Sequence, residues 1–315
     1  MYLKRLIKIV IITLLVAYTT GSWFDDIYKK RWSTLFFEKL DELIKGHNNY
    51  DMIFLGNSRV HFGINPYYID SVTKYNSYNF GTGAADALDI GLTTNVYLQQ
   101  HKAPKLAIIS LDMGTLVKKQ HMQTRFHYLF YLGNDTIRKY MKQAGFLTGM
   151  MYIFPFTKYS FLDEYNRTSI FVKGKQYPLF DHNLYKGFLN THQHINSKND
   201  GIFNTKIVSV KVWDTAIISL RNTVLALQQK GCKVIFVSPP EKSSYSSKEK
   251  SFRKITDSIF TAIANDYHLK FLHFDKMKLY TDDYFVDEVH LNEPGTRIYS
   301  IQLADSIKSL YPYSK

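Results

Sequence analysis

Short apolar segments alternate with longer amphipathic segments along most of the chain, and this alternation restricts the possible folds more than any other sequence feature. Residues 106–111 (LAIISL) show no alternation of polar and apolar side chains, which is typical of a strand covered on both faces of a sheet. Four further apolar segments have the length of strands: 52–55, 78–80, 234–237 and 271–274. The first two are joined by a turn-rich stretch.

Longer segments with helical periodicity lie between or after these strands, at 85–100, 212–230, 250–266 and 294–310. Strands that are separated by helices form parallel sheets with right-handed crossovers. We therefore predict an α/β fold, a flavodoxin-like three-layer sandwich with a central parallel sheet of about five strands.

The N-terminus has the pattern of a membrane-spanning segment. Three basic residues precede an apolar run at 9–18 (IVIITLLVAY): Lys4, Arg5 and Lys8. Residues 6–24 nearly supply the roughly 20 residues that a transmembrane helix needs. No small-x-small cleavage motif follows, which favours an uncleaved signal-anchor over a cleaved signal peptide. Because basic flanks stay in the cytoplasm, the rest of the chain is predicted to be extracytoplasmic, in the periplasm or at the cell surface.

These patterns divide the chain into an anchor (1–24), an amphipathic stalk (25–50) that includes a helix over 25–45, and one α/β domain (51–315). Residues 115–206 interrupt the strand–helix rhythm and are rich in Tyr, Phe, His and Asn. This segment is too long for a plain loop. We interpret it as an insertion over the strand ends that forms a substrate groove or lid.

Charge and cysteine content exclude two classes of protein. The formal net charge is +13, but the basic residues are scattered and no helix carries a basic recognition face, so we expect no nucleic-acid partner. An anionic membrane or an acidic polymer is the better match for this charge. Cys232 is the single cysteine, which excludes a disulfide within the chain, and we expect it to be buried.

Three polar motifs fall at predicted strand or helix ends, where ligands gather in open parallel sheets. Ser58 follows the first strand in Gly-Asn-Ser-Arg, and Asp287 and His290 precede the last helix in Asp-Glu-Val-His-Leu-Asn. A serine hydroxyl needs a base, histidine is suited to that role near neutral pH, and a carboxylate three residues earlier can hold its tautomer. Each motif alone is also compatible with an ordinary turn.

The third motif is the turn Asn79-Phe80-Gly81-Thr82-Gly83-Ala84 after the second strand. Backbone N–H groups in such a turn can stabilise an oxyanion, although the glycines could instead serve the turn alone.

The order and context of these motifs resemble the SGNH/GDSL hydrolases. The similarity covers about 51–111 and 207–310, and its most specific part is Asp287-x-x-His290-Leu291-Asn292-x-x-Gly295. Val237-Ser238-Pro239-Pro240 also resembles a segment of that family. The resemblance implies that Ser58 is the nucleophile, that His290 is the base and that Asp287 orients it. It also implies that Gly83 is the glycine of the oxyanion hole, with Ala84 as the alternative.

One departure from the family pattern concerns the third strand. The family carries a Gly-x-Asn-Asp-like block there, whose Asn side chain helps to form the oxyanion hole, whereas this chain has Leu111-Asp112-Met113-Gly114. The hole is then expected to use the backbone N–H groups of Ser58 and Gly83, or a donor from the insertion, unless catalysis is weak. Asp112 itself either contacts the active site or caps a turn.

The resemblance implies ester hydrolysis or acyl transfer through an acyl-enzyme on Ser58. It is nearest to membrane-anchored bacterial members that act beside O-acyltransferases on cell-surface polymers. The expected substrate is an O-acylated surface glycan or a small ester, and a membrane O-acyltransferase is a candidate partner. The alternative is a weak or inactive domain of this fold that binds a glycan or such a partner.

Other polar residues are assigned lesser roles. We expect Arg59 to steady the nucleophile turn rather than to bind a substrate carboxylate, and His61 to pack beside Phe62. The histidines at 182, 192 and 194 have no carboxylate or cysteine to complete a metal site, so we predict neither a metal nor a cofactor.

Overall fold

The computed structural model describes residues 2–31, 34–117, 125–145, 148–161, 185–190, 211–242 and 250–313. The chain divides into two compact units. The N-terminal unit comprises residues 1–38 and 120–177, and the sheet unit comprises residues 39–119 and 178–315.

The sheet unit contains a five-stranded parallel sheet in the order β2-β1-β3-β4-β5. Its strands are β1 (Met52–Leu55), β2 (Ser77–Asn79), β3 (Leu106–Ser110), β4 (Lys233–Ser238) and β5 (Lys270–His273). This is the doubly wound order in which the chain reverses direction beside β1, so that the carboxyl ends of β1 and β3 flank the crevice where ligands bind. The predicted α/β fold and parallel sheet are confirmed.

Ten α-helices lie in the described parts of the chain. They are α1 (Tyr2–Arg31), α2 (Thr34–Lys45), α3 (Ser58–His61), α4 (Pro66–Thr73), α5 (Ala87–Gln100), α6 (Asp135–Gln143), α7 (Thr148–Ile153), α8 (Asp214–Gln229), α9 (Lys250–Asp266) and α10 (Glu293–Leu310). The stretch between β1 and β2, predicted to be turn-rich, contains α3 and α4. Asn65 caps α4 by accepting from the N–H of Tyr67, and Pro66 occupies its first turn, where a missing N–H costs nothing.

Helices cover both faces of the sheet. Helix α4 packs against α10, and α5 packs against α8. All residues of β1 and β3 are buried, as expected for strands enclosed on both sides. On α10 the fully buried Tyr299 packs in the core with Leu303 and Ile307, whereas Ile301 is only partly buried.

The N-terminal unit is organised around Tyr28, which is buried in an aromatic cluster. Its ring stacks on Phe130 at 5.0 Å between centroids. Three further rings meet it edge-on: Phe37, Phe126 and Tyr159. The part of α1 from Tyr2 to Lys29 is long and apolar enough to cross a membrane, and an 18-residue stretch of it has a mean hydropathy of 1.7.

Helix α1 runs beyond the predicted anchor boundary at residue 24. It continues to Arg31, and within it the hydroxyl groups of Thr19 and Thr20 donate to the carbonyls of Leu15 and Val16. In α2, which lies in the segment predicted to be an amphipathic stalk, Leu40 and Leu43 are buried.

Candidate active site

The nucleophile turn connects β1 to α3 and places Ser58 at the first residue of that helix. Gly56 has φ +150°, a backbone conformation that side chains rarely allow, and a Cβ there would lie 2.6 Å from a methyl group of Val60. Asn57 caps the helix because its Oδ1 accepts the N–H of Arg59 at 3.0 Å. The turn therefore presents Ser58 at the carboxyl end of β1.

The structure brings Ser58, His290 and Asp287 into one hydrogen-bonded chain. His290 Nε2 lies 2.8 Å from Ser58 Oγ, and His290 Nδ1 lies 2.7 Å from Asp287 Oδ2. Each ring nitrogen thus faces one partner, so that Nδ1 donates to the carboxylate and Nε2 is free to accept a proton from the serine. This is the geometry by which a histidine activates a serine nucleophile.

The loop that carries Asp287 and His290 is held on both sides. The N–H of Val286 donates to His290 O at 2.9 Å, and Phe285 pairs with Leu291 as an antiparallel bridge. Asn292 caps α10 and also donates from Nδ2 to Asp283 O at 2.6 Å. These bonds fix the histidine without help from a substrate.

The pKa of Asp287 is lowered. Burial alone would raise this pKa, but it is outweighed by the hydrogen bond and charge of His290 and by the N–H groups of Val289 and His290. Oδ1 accepts both N–H groups, each at 2.8 Å. Asp287 is therefore ionised at neutral pH, as an orienting carboxylate must be.

Arg59 steadies the nucleophile turn, as predicted. Its side chain is buried, and Nη2 donates to the carbonyls of Pro239 and Pro240 at 2.8 and 2.7 Å. Nη1 lies 3.4 Å from Glu241, whose pKa is raised by burial despite the charges of Arg59 and Arg253. The segment after β4, which resembles the family's Ser-Pro-Pro region, thus supplies the acceptors that bind the Arg59 side chain.

Asp112 contacts the nucleophile turn and also caps a turn of its own, so both alternatives from the sequence hold. Asn57 Nδ2 donates to Asp112 Oδ2 at 2.6 Å, and the Asp112 N–H donates to Thr115 Oγ1. Arg59 Nη1 lies 3.7 Å from the same carboxylate oxygen. The position that lacks the family's amide donor is occupied by an acceptor.

The turn of the proposed oxyanion hole is tied to the nucleophile turn. The N–H of Thr82 donates to Gly56 O at 3.0 Å, which brings the Gly81–Gly83 backbone beside the strand end that leads to Ser58. Within the described part of the chain, the Gly83 N–H makes no hydrogen bond to protein, and Ala84 is exposed with φ +54°. The oxyanion role of Gly83 remains a prediction.

A buried lysine that no sequence pattern distinguishes supports this turn. Lys39 is 1% exposed, and its Nζ donates to Gly81 O and lies 2.5 Å from His61 Nδ1. Burial lowers the pKa of Lys39, and burial together with the Lys39 charge lowers that of His61. No ion pair to Lys39 is formed by a carboxylate of the described residues. His61 also packs beside Phe62, as predicted, at 4.5 Å between ring centroids.

Part of the predicted insertion lies at the same edge of the sheet unit. The N–H of Leu189 donates to His61 O at 3.2 Å, and the N–H of Asn79 donates to Lys186 O at 2.9 Å. Gly187 sits so close to β2 that a Cβ would overlap the Asn79 carbonyl oxygen. Residues 185–190 therefore clasp the end of β2 and the helix that begins with Ser58.

The remaining predicted features are settled only in part. Cys232 is buried, as predicted. The histidines at 182, 192 and 194 lie outside the described residues. No group of three His, Cys, Asp or Glu side chains in the described ranges is placed to hold a metal ion.

No protein-family model and no curated protein matches the chain. Solved structures do match it. A lipase/acylhydrolase from Enterococcus faecalis is 11% identical with a TM-score of 0.42, over 84% of this chain and 98% of that one. A putative acylhydrolase from Bacteroides fragilis is 11% identical with a TM-score of 0.41, over 87% and 97%. A catalytic mutant of an acetylxylan esterase from Geobacillus stearothermophilus is 13% identical with a TM-score of 0.42, over 85% and 99%. At these values the chemistry of this chain is inferred from its own residues.

Proposed function

We propose that this chain is a serine esterase or acyltransferase of the SGNH/GDSL type that is anchored in a membrane. The observation that carries the proposal is the continuous hydrogen-bonded chain from Ser58 Oγ through both nitrogens of His290 to Asp287. The pairing of all three groups at hydrogen-bond distance is a far more specific signal than any one of them.

The reaction proceeds in two half-reactions. Ser58 Oγ attacks the ester carbonyl carbon while its proton passes to His290 Nε2, and the carbonyl oxygen becomes an oxyanion. The intermediate collapses when the alcohol leaves with the proton from His290, which leaves an acyl-enzyme. His290 then removes a proton from water or from an acceptor hydroxyl, which attacks the acyl carbon and releases Ser58. Water yields a carboxylic acid, and a sugar hydroxyl yields a new ester.

The oxyanion is stabilised by backbone donors in this proposal. Ser58 is the first residue of α3, so its N–H has no acceptor within the helix. The Gly83 N–H is the second donor. Asp112 is an acceptor at the place of the family's amide, and loss of one oxyanion donor costs about 10²–10³ in rate. We therefore expect turnover to be slower than in enzymes with three donors.

The substrate is proposed to be an extracytoplasmic ester, in the first place an O-acylated surface glycan. Two features support this location and substrate. The apolar run of α1 comes after Lys4, Arg5 and Lys8, a basic flank of the kind that stays in the cytoplasm, and the net charge of +13 favours acidic polymers and anionic surfaces.

Labelling with a fluorophosphonate tests the nucleophile, because this probe phosphonylates only activated serines. We expect wild type to be labelled and Ser58→Ala to be unlabelled. Ser71→Ala removes an exposed serine of α4 and is the matched control, which should be labelled at the wild-type rate. Absence of labelling in wild type would contradict the proposal and favour the non-catalytic alternative, a domain that binds a glycan or a membrane acyltransferase.

Release of acetate from a purified acetylated surface polymer tests the substrate, with His290→Ala as the inactive comparison. A hydrolase releases acetate in water alone, whereas a transferase moves the label of a radioactive acetyl donor onto an added glycan. Equal acetate release by wild type and His290→Ala would contradict the assigned mechanism.

A further inference from the structure

The N-terminal unit exposes an apolar segment that the proposed chemistry does not use. Five side chains in and just after α7 are between 40% and 55% exposed: Met150, Tyr152, Ile153, Phe154 and Phe156. In contrast, Met151 is 1% exposed and packs inward. A run of this kind on the surface of a soluble domain marks a contact with a membrane or another protein. We call these five side chains the foot.

The foot is fastened to the end of α1. The ring of Phe24 lies 5.9 Å from that of Phe156 and 5.1 Å from that of Tyr159. The Tyr159 hydroxyl donates to Asp25 at 2.7 Å, and Lys158 forms an ion pair with the same carboxylate. These contacts set the position of the foot along α1 at residues 24–25.

That position coincides with the outer end of the proposed membrane span. At 1.5 Å per residue, residues 6–24 extend over about 27 Å, close to the thickness of a bilayer's hydrocarbon core. Trp23 is 66% exposed at this end of α1, after the exposed hydroxyl side chains of Thr19, Thr20 and Ser22. Trp, Tyr and Phe side chains at the end of a span are typical of the membrane–water interface.

Charge near the foot fits a lipid headgroup layer. The Arg138 guanidinium lies 5.6 Å from the ring of Tyr152, which joins α6 to α7. On α6, Lys139 and Lys142 are exposed, while Ile137 and Met141 are buried. An apolar row beside exposed lysines is the arrangement that binds an anionic bilayer surface.

We propose that the foot inserts into the membrane interface beside α1 as a second lipid contact, with a bilayer containing anionic phospholipids as its partner. This inference rests on the proposed membrane anchor. It assigns part of the insertion to the membrane rather than to a lid. Two attachment points would restrict rotation of the N-terminal unit about the axis of α1.

Fluorescence of single labelled cysteines in the full-length chain tests the proposal. The variants Ile153→Cys, Ile12→Cys and Ile255→Cys are made in a Cys232→Ala background, labelled with nitrobenzoxadiazole and placed in nanodiscs of phosphatidylcholine and phosphatidylglycerol. Ile255 is the matched control, since it is 52% exposed on α9 and Ile153 is 55% exposed. Ile12 reports on the span itself. Spin-labelled lipids carry the quencher either near the headgroup or near the chain end.

We expect the label at Ile153 to emit at shorter wavelength than the label at Ile255. We also expect the headgroup-proximal spin label to quench it more than the chain-end spin label does. The label at Ile12 should be quenched more by the chain-end label. If the label at Ile12 is quenched but the label at Ile153 behaves like the label at Ile255, the proposed lipid contact of the foot is wrong, while the proposed anchor is retained. If neither label is quenched, the proposed membrane anchor is wrong, and the proposed lipid contact of the foot is wrong as well. A blue-shifted label at Ile153 without lipid quenching would mean that protein covers the foot, which also overturns the proposal.

Discussion

Replacement of Asp287 with Asn tests whether this carboxylate fixes the tautomer of His290. In the wild type, Oδ1 accepts the N–H groups of Val289 and His290, each at 2.8 Å, and Oδ2 accepts from His290 Nδ1 at 2.7 Å. Asparagine keeps only one acceptor oxygen. If that oxygen serves the two backbone donors, the amide NH₂ faces Nδ1, which must then become an acceptor. The ring proton moves to Nε2, and His290 can no longer accept the proton of Ser58.

The size of the loss follows from the competing amide orientation. Turning the amide restores the active tautomer but leaves two backbone N–H groups without their acceptor, at about 1–3 kcal/mol each. The active arrangement is therefore disfavoured by about 2–6 kcal/mol, which corresponds to a loss of about 30-fold to about 10⁴-fold at 1.36 kcal/mol per factor of ten. The same replacement in serine proteases costs about 10⁴ in kcat.

The assay is kcat/KM for p-nitrophenyl acetate together with the rate of fluorophosphonate labelling. Asp305→Asn, which removes an exposed carboxylate from α10, is the matched control and should retain wild-type values. Circular dichroism establishes that each variant is folded. A loss of less than about tenfold in folded Asp287→Asn would refute the tautomer argument, and an equal loss in Asp305→Asn would indicate a general effect of charge.

Two further variants test the supports of the site. Gly187→Ala should lower the thermal midpoint more than Gly231→Ala, because φ is +78° and +77° but only at Gly187 would a Cβ overlap a neighbour. The left-handed conformation costs an alanine about 1–2 kcal/mol at either position. Equal decreases of the two thermal midpoints would therefore show that the close contact of Gly187 with β2 contributes nothing to stability. Lys39→Met should abolish a rise in stability at alkaline pH. Burial lowers the pKa of Lys39 in the folded chain, whereas in the unfolded chain it is about 10.4. Between these two pKa values the unfolded chain binds a proton that the folded chain lacks. The free energy of unfolding of the wild type therefore rises with pH in this window, by at most about 1.4 kcal/mol per pH unit. Urea midpoints at two alkaline pH values measure this, and an equal rise in both proteins would contradict it.

The strands and most helices could be predicted because burial on both faces leaves a direct mark on a parallel strand. Residues 106–111 are apolar throughout, and the observed β3 covers Leu106–Ser110. Ser58, Asp287 and His290 could be selected because each falls at the end of such an element, where side chains from distant parts of the chain meet. Their assembly into one hydrogen-bonded chain depends on the fold and is visible only in the structure.

The support that Arg59 gives to the nucleophile turn could be predicted, but its partners and the roles of Lys39 and Gly187 could not, for reasons that are equally physical. Lys39 lies among charged residues of an amphipathic helix, where a lysine is usually solvated, and its burial depends on His61 and Gly81. Arg59 is held by the carbonyls of Pro239 and Pro240, and backbone acceptors leave no mark in a sequence. The closeness of Gly187 to β2 arises in a segment without periodicity.

The ends of three neighbouring strands together account for the place of Asp112. After β1, Asn57 and Arg59 direct their side chains away from the reacting oxygen of Ser58 and toward the ends of β3 and β4. Asp112 accepts from Asn57, and Glu241 and the two proline carbonyls receive Arg59. A carboxylate after β3 therefore strengthens the nucleophile turn at the position where an amide would have stabilised the oxyanion. Because an acceptor stands in place of a side-chain donor, the proposed oxyanion hole depends on two backbone N–H groups. The rate of the proposed reaction should therefore be more sensitive to changes in the backbone of the Gly56–Ser58 turn than to replacement of side chains outside the hydrogen-bonded triad.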